Sequence, residues 1–191
     1  NLQALINAVH QTGADVGFAF DGDADRVGVV DNAGHPIAPD RMLTLLAQDL
    51  LTRRPEASVI ADVSCSQVFL DAVRGAGGKP ILWQTGHSLI KEHMQAQNAP
   101  LAGEISGHMF FAEDYYGFDD GYFAMGRMLQ LLANSGKSLS ELDDTLPRLH
   151  SSPVYRPYCP PEQMPQVIDA VKNALGDQGT LITIDGVRVN F

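Results

Sequence analysis

The chain has 191 residues, of which 13 are Lys or Arg and 23 are Asp or Glu, so its formal net charge is −10. This length is enough for one large or two small domains, and the acidic balance argues against binding to nucleic acid or to an anionic membrane surface. Cys65 and Cys159 are too few for a disulfide framework or a zinc site. Because no apolar run reaches the roughly 20 residues of a membrane span, we expect a cytoplasmic protein with reduced thiols.

The first part of the chain predicts a helix, two strands and a second helix. Apolar residues recur at helical spacing over residues 2–10, and strands are predicted at 15–20 and 27–31. Residues 32–36 predict a turn. Pro39 favours the start of a helix that runs to about residue 53, because proline in the first turn loses no hydrogen bond.

Strands and helices then alternate through the middle of the chain. The predicted elements are strands at 58–63, 80–84 and 101–104, and helices at 66–76, 88–97, 120–133 and 138–145. This alternation predicts an α/β fold with a mixed, mostly parallel sheet and flanking helices. Ligand-binding loops are expected at the carboxyl ends of the strands.

A change in composition follows at residues 151–165, where proline becomes frequent. Five of the eleven prolines lie there, namely Pro153, Pro157, Pro160, Pro161 and Pro165. Proline interrupts helices and central strands, so this stretch predicts a linker. A helix at 163–174 and a strand at 180–184 are predicted beyond it, and residues 187–191 continue as a strand-like pattern.

The most informative stretch is the acidic loop, residues 21–26, which lies between the two predicted strands at 15–20 and 27–31. Asp21, Asp23 and Asp25 alternate within it and Arg26 follows directly. Three carboxylates at this spacing repel one another unless a hard divalent cation such as Mg²⁺ or Ca²⁺ lies among them. Arg26 adds a planar set of donors suited to a phosphate that a metal also contacts.

Three other interpretations of the acidic loop compete. An EF-hand fails, because its sixth position must be Gly and its twelfth Glu, whereas counting from Asp21 gives Arg26 and Asn32. A haloacid-dehalogenase-like phosphatase with Asp21 as nucleophile fits better, although Asp25 replaces the usual Thr or Val. The apolar residues that resume at Val27 favour two strands joined by a loop over the strand-to-helix order of that phosphatase. A solvated acidic turn is the third alternative.

Two further segments carry a pattern of their own, Thr-Gly-His-Ser-Leu-Ile-Lys at 85–91 and Gly-Glu-Ile-Ser-Gly-His at 103–108. Together with the acidic loop, and in this order and spacing, they resemble the metal-binding and sugar-phosphate loops of the α-D-phosphohexomutase superfamily. Within that superfamily the chain is most similar to the bacterial phosphomannomutase/phosphoglucomutase group. The resemblance extends over essentially the whole chain.

This resemblance implies a Mg²⁺-dependent phosphohexomutase that interconverts hexose 1-phosphate and hexose 6-phosphate. The phosphoryl group would pass through a phosphoserine and a bisphosphorylated sugar, with hexose 1,6-bisphosphate as activator and glucose or mannose phosphates as substrates. The implied metal ligands are Asp21, Asp23 and Asp25. Arg26 would lie near the transferred group, His108 would transfer a proton, and the substrate would be bound by His87, Glu104, Ser106 and His108.

The resemblance also implies that the sequence is part of a longer enzyme. Residues 1–35 would be the end of a second domain with the metal loop, 36–150 a third domain with the sugar loops, and 151–191 a linker and the start of a truncated fourth domain. The phosphoserine and a C-terminal phosphate loop would lie outside the chain. We therefore expect weak metal affinity, no activity alone and possible self-association through exposed apolar surface. A noncatalytic sugar-phosphate binding module is a further alternative.

Several single residues complete the predictions. Ser64 occupies a position where the similar proteins often carry Lys or Arg, which leaves the preferred hexose open. Ser66 and Ser88 are candidate helix caps. Lys91 is expected to be a solvated charge, and the pair Asp119 and Asp120 is expected to orient loops or to cap the next helix.

Overall fold

The computed structural model describes residues 2–150 and 152–191, which divide into two compact units. The first unit ends at Pro147 and the second spans Arg148–Phe191. The elements of the first unit, in chain order, are α1 (Gln3–Thr12), β1 (Val16–Phe20), β2 (Val27–Asp31), β3 (Pro36–Ile37), α2 (Pro39–Arg53), β4 (Ser58–Asp62), α3 (Gln67–Gly75), β5 (Lys79–Trp83), α4 (His87–Ala96), β6 (Leu101–Gly103), β7 (Met109–Phe111), α5 (Gly121–Ser135) and α6 (Leu139–Asp143). No helix within the described ranges is both long and apolar enough to cross a bilayer.

A small antiparallel sheet, in the order β1-β2-β3, presents the acidic loop. Its register pairs Val16 with Asp31 and Phe20 with Val27, so residues 21–26 connect the two strands at one end of the sheet. The prediction of two strands around the loop is confirmed. The two-residue strand β3, which pairs with β2, was missed because so short a segment has no detectable periodicity.

The second sheet has the order β5-β4-β6-β7, in which β4 runs parallel to both β5 and β6 and β7 runs antiparallel to β6. Alternate residues of β4 face opposite sides, as the period of two in a strand requires. Val59 belongs to the larger core, whereas Ile60 belongs to a smaller core with Ile90 and Met94 of α4. The predicted mixed, mostly parallel sheet with flanking helices is confirmed, although β7 was not anticipated.

The parallel strands place three loops at one edge of this sheet. The carboxyl ends of β4, β5 and β6 point the same way, so the residues after Asp62, Trp83 and Gly103 emerge close together. Helix α2 has the predicted bounds Pro39–Arg53, with Pro39 in its first turn, and it buries Leu43, among others, against the core.

An ion cluster around one buried carboxylate, the arginine cluster, connects helices α2 and α5. Glu113, which is 4% exposed, contacts Arg53 (3.0 Å), Arg54 (3.1 Å) and Arg127, and Arg53 also contacts Asp49 at 2.7 Å. Because Glu113 is almost fully desolvated, these contacts are needed to keep its charge in the interior.

The second unit contains a 3₁₀ turn (Pro161–Gln163), helix α7 (Met164–Leu175) and an antiparallel pair of strands, β8 (Thr180–Ile182) and β9 (Arg188–Asn190). The predicted helix and strands are present, but β8 ends two residues earlier than expected. The predicted linker begins at Ser151, which lies outside the described residues. Residues 152–160 have no regular secondary structure.

Candidate functional site

The acidic loop gathers its three carboxylates on one side. One carboxylate oxygen from each of Asp21, Asp23 and Asp25 lies within 4.8 Å of the other two. Ala24 has φ +62°, a left-handed conformation that costs a non-glycine residue about 1 kcal/mol. The Oδ1 atom of Asp25 is buried and has no hydrogen-bond partner within the described structure. An unpartnered buried carboxylate oxygen beside two further carboxylates is an arrangement that a hard cation satisfies.

Arg26 neutralises part of this charge. Its Nε donates to Oδ2 of Asp21 at 2.6 Å and its backbone N–H donates to Oδ1 of the same residue at 3.3 Å. Partial desolvation raises the pKa of Asp21, but the hydrogen bonds and charge of Arg26 outweigh it, so the pKa lies below its ordinary value. The hydrogen bond to Asp21 correspondingly raises the pKa of Arg26. The distance from Arg26 Nε to Asp25 Oδ1, 3.7 Å, is too long for a hydrogen bond.

His108 joins the acidic loop to the segment 103–108. Its Nε2 lies 3.1 Å from Asp25 Oδ2, while its Nδ1 lies 2.8 Å from both Glu104 Oε2 and Ser106 Oγ. The backbones also meet, since Val27 N–H donates to the carbonyl of Gly107 at 3.3 Å. The imidazole is therefore held between two carboxylates that come from separate loops.

Glu104 extends this network to the segment 85–91. Its carboxylate is 2% exposed, and its Oε1 accepts a hydrogen bond of 2.6 Å from the backbone N–H of Gly86. Both carboxylate oxygens of Glu104 already have partners. Glu104 would therefore accept a hydrogen bond from a sugar hydroxyl only through the lone pairs that these contacts leave.

His87 is the first residue of α4, one residue before the predicted start of this helix at 88. Its Nδ1 lies 3.5 Å from Asp119 Oδ2, and its ring centroid lies 5.8 Å from that of His108. Two smaller predictions here are wrong. Ser88 does not cap α4, because Gly86 occupies the N-cap and Ser88 lies inside the helix. Lys91 is not a solvated charge, because its Nζ contacts Asp119 Oδ1 at 2.9 Å.

Asp119 and Asp120 act in different ways. Burial raises the pKa of Asp119, but the contact with Lys91 is the main opposing effect and leaves the pKa below its ordinary value. Asp120 caps α5, as predicted, by accepting from Phe123 N–H at 2.9 Å, and it also accepts from the Tyr115 hydroxyl at 2.6 Å. These bonds lower the pKa of Asp120 against the opposing effect of desolvation, and the bond to Asp120 raises the pKa of Tyr115.

Asp62, at the end of β4, is a residue whose role the sequence analysis missed. It is completely buried, with Oδ1 accepting from Ser64 N–H and Oδ2 from Ile105 N–H, both at 2.6 Å. Asp62 thereby ties the loop after β4 to the loop after β6. Its position directly after a buried strand was the available signal. The exposed residue Ser64 supplies no charge here, and Ser66 stands at the N-cap of α3 without a side-chain capping bond.

The predicted residues thus come from three distant segments and form one group. The acidic loop contributes Asp21, Asp23, Asp25 and Arg26, and the sheet edge contributes His87, Glu104, Ser106 and His108. Carboxylates suited to a hard cation, a guanidinium and imidazole groups lie side by side. Such a set can bind an anionic ligand that shares a cation with the protein.

The comparisons with known proteins agree with this arrangement. The family model for phosphoglucomutase/phosphomannomutase alpha/beta/alpha domain III matches residues 38–149, and that for domain II matches residues 1–34. The chain is 46% identical over 192 residues to a phosphomannomutase/phosphoglucomutase of Pseudomonas syringae pv. tomato. This match covers 100% of the chain and 41% of the Pseudomonas protein. The chain is 45% identical to a phosphoglucomutase of Neisseria gonorrhoeae, over 100% of the chain and 42% of that protein.

A solved structure shows the same likeness in three dimensions. The crystal structure of a phosphoglucomutase/phosphomannomutase family protein from Burkholderia thailandensis matches 100% of the chain and 41% of its own length, with 42% identity and a TM-score of 0.89. The chain therefore spans about two fifths of the length of these relatives.

Proposed function

The chain belongs to the phosphoglucomutase/phosphomannomutase family, as its resemblance predicted, and we propose that it supplies the cation site and the sugar-phosphate loops of a phosphohexomutase. Such an enzyme moves a phosphoryl group between the 1- and 6-positions of a hexose. Because the chain covers only 41% of the Pseudomonas relative, the activity is proposed for a protein of the relatives' full length.

The observation that carries this proposal is the continuous network from Asp25 through His108 and Glu104 to Gly86, with heavy-atom distances of 3.1, 2.8 and 2.6 Å. It connects the acidic loop to both sugar-phosphate segments. Phosphoryl transfer depends mainly on positioning and on neutralising charge. A site that holds a cation beside the bound sugar phosphate would provide both the positioning and the neutralisation of charge.

Asp21, Asp23 and Asp25 are proposed to hold Mg²⁺. The unpartnered Oδ1 atom of Asp25 and the short separation of the three carboxylates support this assignment. Bound Mg²⁺ would neutralise charge on the phosphoryl oxygens. Arg26, whose side chain is 49% exposed, is free to direct its remaining N–H groups toward the same phosphoryl group.

The residues of the segment 103–108 are proposed to bind and orient the hexose. Ser106 is exposed and can exchange its contact with His108 for a sugar hydroxyl, and Glu104 can accept from a hydroxyl through its remaining lone pairs. His108 would exchange a proton with the reacting hydroxyl at Nε2, the nitrogen on the side of the acidic loop. His87, at the start of α4, would contact the phosphate.

The proposed substrates are glucose and mannose phosphates, with hexose 1,6-bisphosphate as the intermediate and activator. The names of the relatives support this class. Ser64 lacks the positive charge that similar proteins often carry, so we expect weaker contacts to the sugar phosphate at this position. Since the resemblance assigns the phosphoserine to a segment outside this sequence, we expect the 191 residues to bind a sugar phosphate without turning it over.

The alternative of a phosphatase makes a distinct demand on Asp21. As a nucleophile it would end a strand that leads into a helix, whereas β2 follows the acidic loop and pairs with β1. This order of elements favours a metal-binding role for Asp21 over nucleophilic attack.

The test is an assay of a protein of full length with Mg²⁺, glucose 1-phosphate or mannose 1-phosphate, and a trace of hexose 1,6-bisphosphate. Hexose 6-phosphate and free phosphate are measured in the same samples. We expect isomer without free phosphate, and loss of at least two orders of magnitude of rate in Asp23→Asn. Release of free phosphate without isomer would instead support the phosphatase. Saturable binding with neither product would support a noncatalytic binding module.

The matched control is Gly126→Ala, on the exposed side of α5, where an added methyl group would meet no atom within 4 Å. This variant is expected to retain the rate of the unsubstituted protein. A loss of rate equal to that of Asp23→Asn would show that the assay reports stability and not the site.

A further inference from the structure

The first turn of α5 lies directly against the acidic loop, although about a hundred residues separate them in the sequence. Gly121 is buried, and its backbone N–H donates to the carbonyl of Ala24 at 2.9 Å. The first N–H groups of a helix have no partner within the helix. Here the N–H group of Gly121 donates to the carbonyl of Ala24, which lies between the proposed cation ligands Asp23 and Asp25.

Only glycine fits at this contact. A Cβ atom added to Gly121 would lie 2.8 Å from the carbonyl oxygen of Ala24, 3.0 Å from the ring of Phe20 and 3.2 Å from the carbonyl oxygen of Arg26. Two of these atoms are backbone oxygens on either side of Asp25, and backbone oxygens cannot move aside as the end of a side chain can. The acidic loop is therefore folded around the backbone of Gly121.

The next residue of α5 also contacts the strand that leads into the acidic loop. The ring of Tyr122 stacks on that of Phe20, with centroids 4.4 Å apart, and Phe20 is the last residue before the acidic loop. Helix α5 thus contacts the loop at Ala24, whose conformation is left-handed with φ +62°, by a hydrogen bond and a close backbone approach, and it contacts Phe20 by a ring contact. Strained backbone persists where surrounding structure fixes it in this way.

From this geometry we propose that Gly121 is a positioning residue for the proposed cation site. Because Gly121 has no Cβ atom, the loop can approach it closely at Ala24, and this approach keeps the carboxylate of Asp25 near those of Asp21 and Asp23. The inference rests on the proposed metal-binding function and adds to it a residue from outside the loop.

The test uses the 191-residue chain and Mn²⁺, a cation that prefers oxygen ligands as Mg²⁺ does and whose free concentration is measured by electron paramagnetic resonance. In Gly121→Ala the displaced loop is expected to bind Mn²⁺ at least tenfold more weakly. Gly126→Ala makes the same change in the same helix without a clash and is expected to keep the affinity unchanged. Adding Ala24→Gly to Gly121→Ala should recover part of the loss, because glycine gives the loop other conformations.

A second measurement needs no substitution, so it is informative even if Gly121→Ala does not fold. Binding and loop order are linked reciprocally, so Mg²⁺ should slow hydrogen exchange at Gly121 N–H. The internal reference is Phe123 N–H, whose partner is Asp120 in the same helical turn, and its exchange should not change. Equal slowing at both amides would overturn the inference.

The outcomes separate this inference from the proposed function. If the unsubstituted chain binds Mn²⁺, Asp23→Asn removes the binding and Gly121→Ala binds as tightly as the unsubstituted chain, then the role of Gly121 is wrong and the cation site stands. If the unsubstituted chain shows no Mn²⁺ binding that depends on Asp23, then the proposed cation site fails and the inference fails with it.

Discussion

The acidic loop and the arginine cluster handle charge in opposite ways. In the acidic loop, three carboxylates face one guanidinium, and the buried Oδ1 atom of Asp25 has no hydrogen-bond partner among the described residues. In the arginine cluster, the buried carboxylate of Glu113 contacts Arg53, Arg54 and Arg127, and Arg53 also contacts Asp49. The buried charge of Glu113 is neutralised within the fold and stabilises it. The surplus of negative charge at the partly exposed acidic loop instead favours a bound cation.

The largest effect on stability is expected from the arginine cluster. In Glu113→Gln the buried negative charge is removed and three arginines lose their common partner, which should lower the free energy of unfolding by about 3 kcal/mol. Urea denaturation measures this change. Mn²⁺ affinity should stay within twofold of the unsubstituted chain. A loss of Mn²⁺ binding at concentrations where the variant is folded would contradict the separation of the two regions.

The acidic loop should give the reverse result. Asp23 is exposed, so Asp23→Asn should change the free energy of unfolding by less than about 0.5 kcal/mol. Mn²⁺ affinity should fall at least tenfold, or about 1.4 kcal/mol. Asp15→Asn, an exposed residue with the same loss of charge, serves as the control and should leave the affinity unchanged. Equal weakening by the two variants would mean that the loop acts only through net charge.

Asp120 provides a third case, a carboxylate with fixed partners beside the acidic loop. Its pKa lies below the ordinary 3.8, so its contribution to stability is present above that pH and is lost as the pH falls through the lowered value. Tyr115→Phe removes one of its hydrogen bonds and should lower the free energy of unfolding by about 1 kcal/mol at pH 7. The difference from the unsubstituted chain should shrink as the pH falls below 3.8 and through the lowered pKa of Asp120.

Denaturation at a series of pH values from 7 to well below 3.8, within the range where the chain stays folded, measures this pH dependence. Tyr116→Phe is the matched control, because Tyr116 is 80% exposed, and it should have almost no effect at any of these values. A deficit of Tyr115→Phe that stays constant through the whole series would show that the hydrogen bond does not act through the ionised carboxylate.

The smallest effect is expected at Ala24 itself. Glycine there avoids the cost of a left-handed conformation, about 1 kcal/mol, but it also increases the entropy of the unfolded chain by a similar amount. Ala24→Gly should therefore change the free energy of unfolding by less than about 0.5 kcal/mol. A stabilisation of more than about 1 kcal/mol would show that the strain in the loop is larger than its backbone angle indicates.

The sequence was sufficient where local patterns determine structure. Helix α2 at Pro39–Arg53 and strand β2 at Val27–Asp31 have the predicted bounds, because a proline start and apolar periodicity are local signals. The acidic loop was found because like charges at alternate positions demand an explanation from the sequence alone. The segment 103–108, in contrast, was found through its resemblance to the sugar-phosphate loops of the superfamily.

What the sequence did not reveal depends on contacts between distant residues. The contact of Lys91 with Asp119, the two loops joined by Asp62 and the fit of Gly121 against Ala24 each link residues 28 or more positions apart. Strand β7 has only three residues, and it is defined by its pairing with β6 and not by its own pattern. Such features follow from the assembled fold, so they become visible only once the sheets are in place.

The most direct test of the account is an amide NMR spectrum of the 191-residue chain with increasing Mn²⁺. The paramagnetic ion broadens signals of nearby residues, so its position can be read from the spectrum. We predict the strongest broadening at residues 21–26, 107, 108 and 121, with the amides of Arg53, Glu113 and Arg127 broadened only at higher Mn²⁺ concentrations. Broadening that is spread evenly over exposed acidic residues, or absent from the acidic loop, would contradict the claim that this loop is the cation site.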